Sequence, residues 1–503
     1  MLNEKRKYPQ DVDFHPEADP RFPLRISPEN TAKLYESCAD FESRRVFAGG
    51  TNVSVFACWL DGVASGTETA EQVLRPLTDP ARFGGAKTEE QVMELLSGGA
   101  VYGPSMRRVS SMDRLADAIG YGHCALVFTG AAFVFQVKTD QHRSVQEPTV
   151  EKSIKGGKDA FVETLRVNTG LVRSRLHTPK LKLAQTTVGR KSRSLAAVMW
   201  LEGVADPDLP RRMRERLEAL DADGVILPDT LESALVDRPR SPFPQLIHTE
   251  RPDKFARLLL DGRVGVIVDG IPVGFAAPAF FGEFLKTTED ASQHFWAASF
   301  IRLLRWGSVV LTLLLPAFYV AVATYHPEML PTTLLLSVIE SKQSVPFSTA
   351  VEILGLLLSF ELLQEAGLRL PNPVGQTVSI IGALIVGQSA VEAKVVSPIA
   401  VIVVAVAGIA GYTMPSQDMG TALRISRFLL VAAAMAAGMF GIIMGAVFLL
   451  WHLCSLESFG RAYMTPLTEG RGGDSGGVFI RRPPWRNLYR DPTINGGDVR
   501  RRR

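Results

Sequence analysis

Cysteine is scarce in this chain, with four residues in 503. Cys38, Cys58, Cys124 and Cys454 have neither metal-ligand spacing nor a paired framework. That excludes a disulfide-built fold and fits a reducing compartment. Excess charge is also lacking: the formal net charge is only +3, which gives no electrostatic argument for nucleic acid. The histidines are scattered, and no pair has the spacing of a zinc-binding helix. There is no Walker A sequence. Gly120-Tyr121-Gly122-His123-Cys124-Ala125 fits a dinucleotide-type pattern but precedes an expected strand instead of following one and opening a helix. No Ser/His/Asp arrangement emerges. The expectation is a protein that is not an enzyme, with no cofactor and no metal. The start, MLNEKRKYPQDVDFHP, has no apolar stretch of signal-peptide type. The first 300 residues are therefore expected to stay on the cytoplasmic side.

What the chain does have is a set of long apolar runs, gathered between Trp306 and Leu453. Trp306–Tyr325, Ser397–Met414 and Phe428–Leu453 are almost wholly aliphatic, small or aromatic. A hydrocarbon core about 30 Å thick takes about 20 helical residues to cross. Backbone in lipid must satisfy its own hydrogen bonds, which selects helices. The fold class expected is an α/β cytosolic N-terminal region of two related subdomains, followed by an all-α polytopic membrane domain. The divisions are a disordered 1–30, a first α/β subdomain at 31–150, a linker helix within 151–184 and a second α/β subdomain at 185–299. A helical membrane domain of four or five spans fills 300–455, and a Gly/Arg-rich cytoplasmic tail fills 456–503.

The two subdomains are read from a repeat. Trp59-Leu60-Asp61-Gly62-Val63-Ala64 returns as Trp200-Leu201-Glu202-Gly203-Val204-Ala205. Each copy closes a buried-strand pattern. The hairpin signal at Thr129-Gly130 returns at Asp269-Gly270. The glycines are offset by 141 and 140 positions, and two landmarks sharing one offset point to internal duplication. Between the units, Lys158–Leu176 has Phe161, Leu165, Val172 and Leu176 at helical spacing, with Arg166, Arg173 and Arg175 on a polar face. Ser241–Gln245 and Thr249–Asp253 form a proline-stiffened loop pair.

The membrane half carries few polar residues, and these are the candidate site. Phe295, Trp296 and Trp306 fit an interfacial aromatic belt, and Arg302 and Arg305 precede the first span. Leu330–Ile339 is too short to cross and reads as interfacial or re-entrant. Phe347–Leu363 contains Glu352 and Glu361, with Glu365 at its end. An ionised carboxylate at bilayer depth costs about 2.5 kcal/mol or more, so such groups face a bundle interior, a partner or water. Glu352, Glu361, Gln388 and Glu392 are the candidate pore or gating residues. An intersubunit pair with snorkelling ends is the competing reading. Gly382, Ala383 and Gly387, with Gly441 and Gly445 in the last run, are candidate helix-packing positions. The apolar segments number five. That odd count leaves open whether one is re-entrant or the arginine-rich tail lies outside.

From Glu147 to Leu467 the chain resembles the A subunit of GerA-type spore germination receptors. The resemblance rests on Glu147-Pro148, Asn168 with Leu171-Val172-Arg173, Val188-Gly189-Arg190, the two proline-bounded loops, and Ile301-Arg302-Leu303-Leu304-Arg305. It continues through Leu370-Pro371-Asn372-Pro373-Val374-Gly375-Gln376, Ser379–Leu384, Val391-Glu392-Ala393 and His452-Leu453-Cys454-Ser455-Leu456. The tail after Glu469 departs from the family pattern. The resemblance implies a multi-pass protein of the spore inner membrane that acts with a B-type polytopic subunit and a C-type lipoprotein to sense nutrients. It also implies similarity to proteins thought to form an oligomeric ion channel, in contact with membrane lipid and with further copies of the A subunit. A branch resembling the SpoVAF germination protein, which amplifies rather than initiates, shares that fold. Two other classes compete with that reading. A secondary transporter predicts a repeat inside the membrane half, whereas the repeat here lies in the soluble half. A membrane-anchored signalling scaffold predicts no role for Glu352 or Glu361.

Overall fold

A computed structural model describes residues 21–103, 105–138, 148, 151, 155–369, 387–468, 476–483, 485, 489–490, 493–494 and 496–498. Residues 1–20, Pro371–Pro373, Gln376, Gly382, Ala383 and Arg500–Arg503 therefore lie outside the described residues. Residues 21–30, expected to be disordered, are packed instead. Ile26 is buried, Asp113 accepts from the Arg21 and Phe22 amides, and Ser27 caps helix α1 (Pro28–Leu34).

Ten strands form two antiparallel sheets. The first contains β1 (Phe41–Phe47), β2 (Ser54–Leu60), β3 (Arg107–Val109), β4 (His123–Val127) and β5 (Ala132–Gln136), in the order β1-β2-β4-β5-β3. The second contains β6 (Leu181–Val188), β7 (Ser194–Leu201), β8 (Ile247–Thr249), β9 (Val264–Val268) and β10 (Gly274–Ala277), in the order β6-β7-β9-β10-β8. The second order is the first carried forward strand by strand, and the register follows. Phe56 faces Val127, and Ala197 faces Ile267. Helix α2 (Met112–Gly120) and its counterpart α4 (Pro252–Leu260) pack on the same face of their sheets. Gly62 and Gly203 both take a left-handed φ of about 80°, which favours glycine in that turn.

The central strands read as unbroken apolar runs because both faces are covered. Val55, Ala57 and Trp59 join one core with Phe83, Val92 and Leu96, while Phe56, Cys58 and Leu60 join another with Leu115 and Ile119. In the second unit Ala196 and Val198 face one core, and Ala197, Met199 and Leu201 face the other. Each fully buried aliphatic side chain contributes about 1.5–3 kcal/mol. The strand β6 begins four residues inside the stretch read as linker.

The linker helix is shorter than its periodicity suggested. Helix α3 spans only Leu165–Arg173. Phe161 precedes it, because Asn168 folds its amide back onto both backbone groups of Val162 and closes a loop there. Arg173 is not on a solvated face. It is 1% exposed and makes a two-pronged pair with buried Asp40 of the first unit, at 2.7 and 2.8 Å. Beside it, the Ala39 amide donates to the Leu183 carbonyl, the Leu183 amide donates to Ser37, and Lys182 Nζ donates to the carbonyls of Leu34 and Glu36. These bonds fasten the first unit to the edge of the second.

The helical region contains α5 (Phe295–Tyr325), α6 (Thr332–Lys342), α7 (Thr349–Arg369), α8 (Pro398–Gly411) and α9 (Gln417–Ser455). Two of them, α5 and α9, are long and apolar enough to cross a membrane. The run expected as one span at Phe428–Leu453 is broken. Gly438 sits at φ 57°, ψ −136°, a conformation open almost only to glycine. There α9 folds back on itself. Trp306 of α5 shares a core with Met419 and Leu423 from the start of α9 and with Leu453 from its end. At the far end of α5, Tyr325 donates to the Met435 carbonyl and lays its ring on Gly438. The arms are roughly 20 and 17 residues, about 30 and 26 Å long. The hairpin returns the chain to the end it left. Phe459 therefore reaches the core of the second unit, and Tyr463 packs beside Phe281 and Phe284. In this structure the α/β units and residues 456–468 lie at the same end of the helices.

Candidate functional site

The base of α5 is anchored by charge. Buried Asp290 accepts from Arg305 at 2.7 and 3.0 Å, from Arg302 at 3.3 Å and from Thr287. Burial alone would raise the Asp290 carboxyl. The Arg305 charge and hydrogen bonds outweigh it and hold the group below the usual carboxylate range. Arg302 and Arg305, expected from sequence at a membrane edge, close a polar knot under the first long helix.

The four candidate polar residues fall into three places. Glu352 lies in the first turns of α7, 2% exposed, and its Oε1 accepts from the Ser397 amide at the start of α8. Ser397 caps α8 with its own hydroxyl. A carboxylate there meets free amides and the positive end of the helix dipole. Glu361, two and a half turns on, pairs with Arg424 at 3.1 Å and with Arg427, which is 1% exposed. Gln388 donates to Glu392 at 3.1 Å on an exposed surface. The structure does not bring the four together. Nine residues of helix put Glu352 and Glu361 about 13 Å apart along α7.

The packing candidates divide likewise. A Cβ on Gly441 would stand 2.0 Å from the Ala433 carbonyl oxygen, and one on Gly445 would stand 2.8 Å from Leu430. Both glycines serve the contact between the two arms of α9, within one chain. Gly387 lies near Val401 of α8.

Residues that sequence reasoning missed form a junction between the second α/β unit and α9. His248 Nδ1 on the edge strand β8 lies 3.2 Å from Asp418 in the first turn of α9. The Asp418 hydrogen bond raises His248 above its ordinary value, against the opposing effect of burial. A cavity of about 420 Å³ opens beside them, lined by Glu250, Lys254, Glu283 and Lys286 among others. The proline-bounded loop belongs here as well: Ser241 Oγ meets His452 Nε2 at 2.9 Å, and Arg238 donates to Ser455. Arg424 and Arg427, three apart at the head of an apolar run, were the only visible signal of a partner for Glu361.

The model of the family described as Bacillus/Clostridium GerA spore germination protein matches residues 29–493. The membrane protein YfkQ of Bacillus subtilis (strain 168) is 35% identical over 94% of this chain and 92% of its own length. Spore germination protein B1 of the same organism is 37% identical over 77% of this chain and 80% of its own. Its spore germination protein KA is 37% identical, with 77% and 72% covered. Among solved structures, the N-terminal domain of the A subunit of the Bacillus megaterium spore germinant receptor GerK3 is 24% identical at a TM-score of 0.40, over 51% of this chain and 98% of that one. The family match across most of the chain and the relatives aligned along most of their own lengths lead to one conclusion: the chain belongs to the GerA family of spore germination proteins.

Proposed function

We propose that this chain is the A-type subunit of a spore nutrient-germinant receptor. In this reading it is a multi-pass protein of the spore inner membrane, with its α/β units in the cytoplasm. Several copies, joined by a B-type polytopic subunit and a C-type lipoprotein, enclose a nutrient-gated ion path. The observation that carries the membrane part is an inverted surface. Phe300, Leu311 and Phe318 of α5, Leu358 and Leu362 of α7, and Ile443 and Phe448 of α9 are exposed, while Glu352 is buried and Glu361 is paired. Large exposed apolar faces around enclosed carboxylates suit a hydrocarbon surround. Arg302, Arg305, Arg424 and Arg427 cluster toward the end that bears the α/β units, which supports a cytoplasmic placement of that end.

Within this reading the candidates take different roles. Glu352 and Glu361 are engaged in holding helices to one another. The exposed Gln388–Glu392 pair is the one free to face an ion path or a neighbouring copy. The test is reconstitution of the chain with its B- and C-type partners in liposomes. Nutrient-dependent ion flux is expected, and its absence in repeated active preparations would overturn the channel reading.

A further inference from the structure

The returning arm of α9 carries an exposed apolar stripe that ends at two arginines. Met444, Phe448, Trp451 and Ser455 follow at steps of four, three and four, so they lie on one face of the helix. The first three are each more than half exposed, and the rings of Phe448 and Trp451 are 5.8 Å apart. At the foot of the stripe Arg238 Nη1 donates to Ser455 Oγ at 3.0 Å. Arg238 opens Arg238-Pro239-Arg240-Ser241-Pro242, a loop of the second α/β unit. The loop is fixed. Buried Gln245 accepts from the Arg238 amide at 3.0 Å and donates to the Arg238 carbonyl at 2.7 Å. Ser241 holds His452, and Phe243 enters the core that contains Leu453 and Leu456. Arg238 and Arg240 are exposed, and among the described residues Arg240 and the remaining donors of the Arg238 guanidinium have no partner.

We propose that Arg238 and Arg240 bind the headgroup of an anionic phospholipid whose acyl chain lies along the stripe. Depth argues for it. With Trp451 at the membrane interface, where such rings settle, Ser455 lies four residues, or about 6 Å, further along the axis. The headgroup layer on each side of the hydrocarbon core is about 5–7 Å thick. The Arg238 guanidinium, bonded to Ser455, thus stands at the level of the phosphates. Chemistry argues for it as well. The guanidinium fork matches phosphate oxygens with paired N–H donors. A loop with two prolines and a clamped backbone loses little freedom on binding. The occupant must be apolar along α9 and negative at its foot; a phospholipid is both, and free phosphate is not. Charge favours an anionic headgroup over a zwitterionic one. Asp237 is taken up by Arg216, and the nearest exposed acid in sequence to Ser455 is Glu457, a single carboxylate against two guanidiniums. The bound lipid bridges the second α/β unit and the end of α9, a tie whose strength follows the charge of the membrane.

This deepens the membrane-subunit reading and rests on α9 lying in lipid, yet its test needs no flux. The full chain, delipidated in detergent micelles, is titrated with phosphatidylglycerol or phosphatidylcholine, and the first bound lipid is measured by native mass spectrometry. Phosphatidylglycerol is expected to bind more tightly. Its affinity should fall about fivefold in Arg240→Gln and about 25-fold in Arg238→Gln with Arg240→Gln, at about fivefold for each basic residue beside an anionic surface. Arg240 bonds to nothing among the described residues, so its variant serves even where the double variant does not fold. Arg44→Gln with Arg45→Gln on β1 removes the same charge elsewhere and should leave lipid binding unchanged. Equal affinity for the two lipids, a loss in the loop variant no greater than in the β1 variant, or full displacement of the lipid by inorganic phosphate at equal concentration would overturn the proposal. Selective binding in a preparation that conducts no ions would support the proposal and count against the channel reading alone. A chain that stays monodisperse without detergent would remove the membrane placement of α9, and the proposal with it.

Discussion

Replacing Asp40 by alanine should strike the joint between the two α/β units. Asp40 is 5% exposed and holds both prongs of the Arg173 guanidinium, which is itself 1% exposed. Removing one partner of a buried pair leaves a desolvated charge behind and costs about 3–5 kcal/mol. Arg173 retains one acceptor, the Thr178 carbonyl at 3.3 Å, so the expected loss lies at the lower end, about 3 kcal/mol. At about 2–4 °C per kcal/mol for a region of this size, the thermal midpoint should fall by about 6–12 °C. The assay is thermal unfolding of the full chain in detergent, followed by circular dichroism. The double variant Asp40→Leu with Arg173→Met removes both charges together and should recover most of the loss, because an apolar pair can replace a buried ion pair at little cost. A single variant that shifts the midpoint by less than about 2 °C, or a double variant no better than the single, would refute the reasoning.

His248 is raised by its bond to Asp418, so its contribution is fully present below the unfolded histidine value and is lost as pH rises through the folded one. Midpoints measured across that range should fall toward alkaline pH, and the slope should flatten in Asp418→Asn; Glu232 and Lys254, which also act on His248, stay in place as background. Glu361→Gln should destabilise the detergent-solubilised chain by about 2–3 kcal/mol, because it leaves Arg427 underpaired, while Glu392→Gln on the open surface should cost under about 0.5 kcal/mol. Gly441→Val should abolish the monodisperse folded peak in size-exclusion chromatography, since the new Cβ strikes the Ala433 carbonyl; Gly307→Ala in α5, with open space around it, should leave the peak intact.

Much of the α/β half was legible because its signals are local. A strand buried on both faces writes itself as a run such as Ser54–Leu60, and the paired glycines at 62 and 203 mark the same left-handed turn twice. The linker helix was overextended because Phe161 and Leu176 keep the helical period while Asn168 closes the backbone ahead of Leu165. Arg173 was misjudged because charge predicts exposure only when no partner is waiting, and Asp40 lies 133 positions away. The same limit hid Arg427 from Glu361 and Asp418 from His248. The break in α9 was invisible for another reason. Glycine inside an apolar run reads as close packing, and only the backbone angles at Gly438 distinguish a contact from a reversal of direction.

The reversal in α9 has a mechanical consequence. Ser458, just past the returning arm, accepts from the Ala279 amide and donates to the Gln245 carbonyl, while Asp290 grips Arg302 and Arg305 at the outgoing helix. The second α/β unit thus holds the helical region by its first strut and its last, like a hand on both handles of a pair of shears. A displacement of that unit is therefore expected to reach α5 and the returning arm of α9 together.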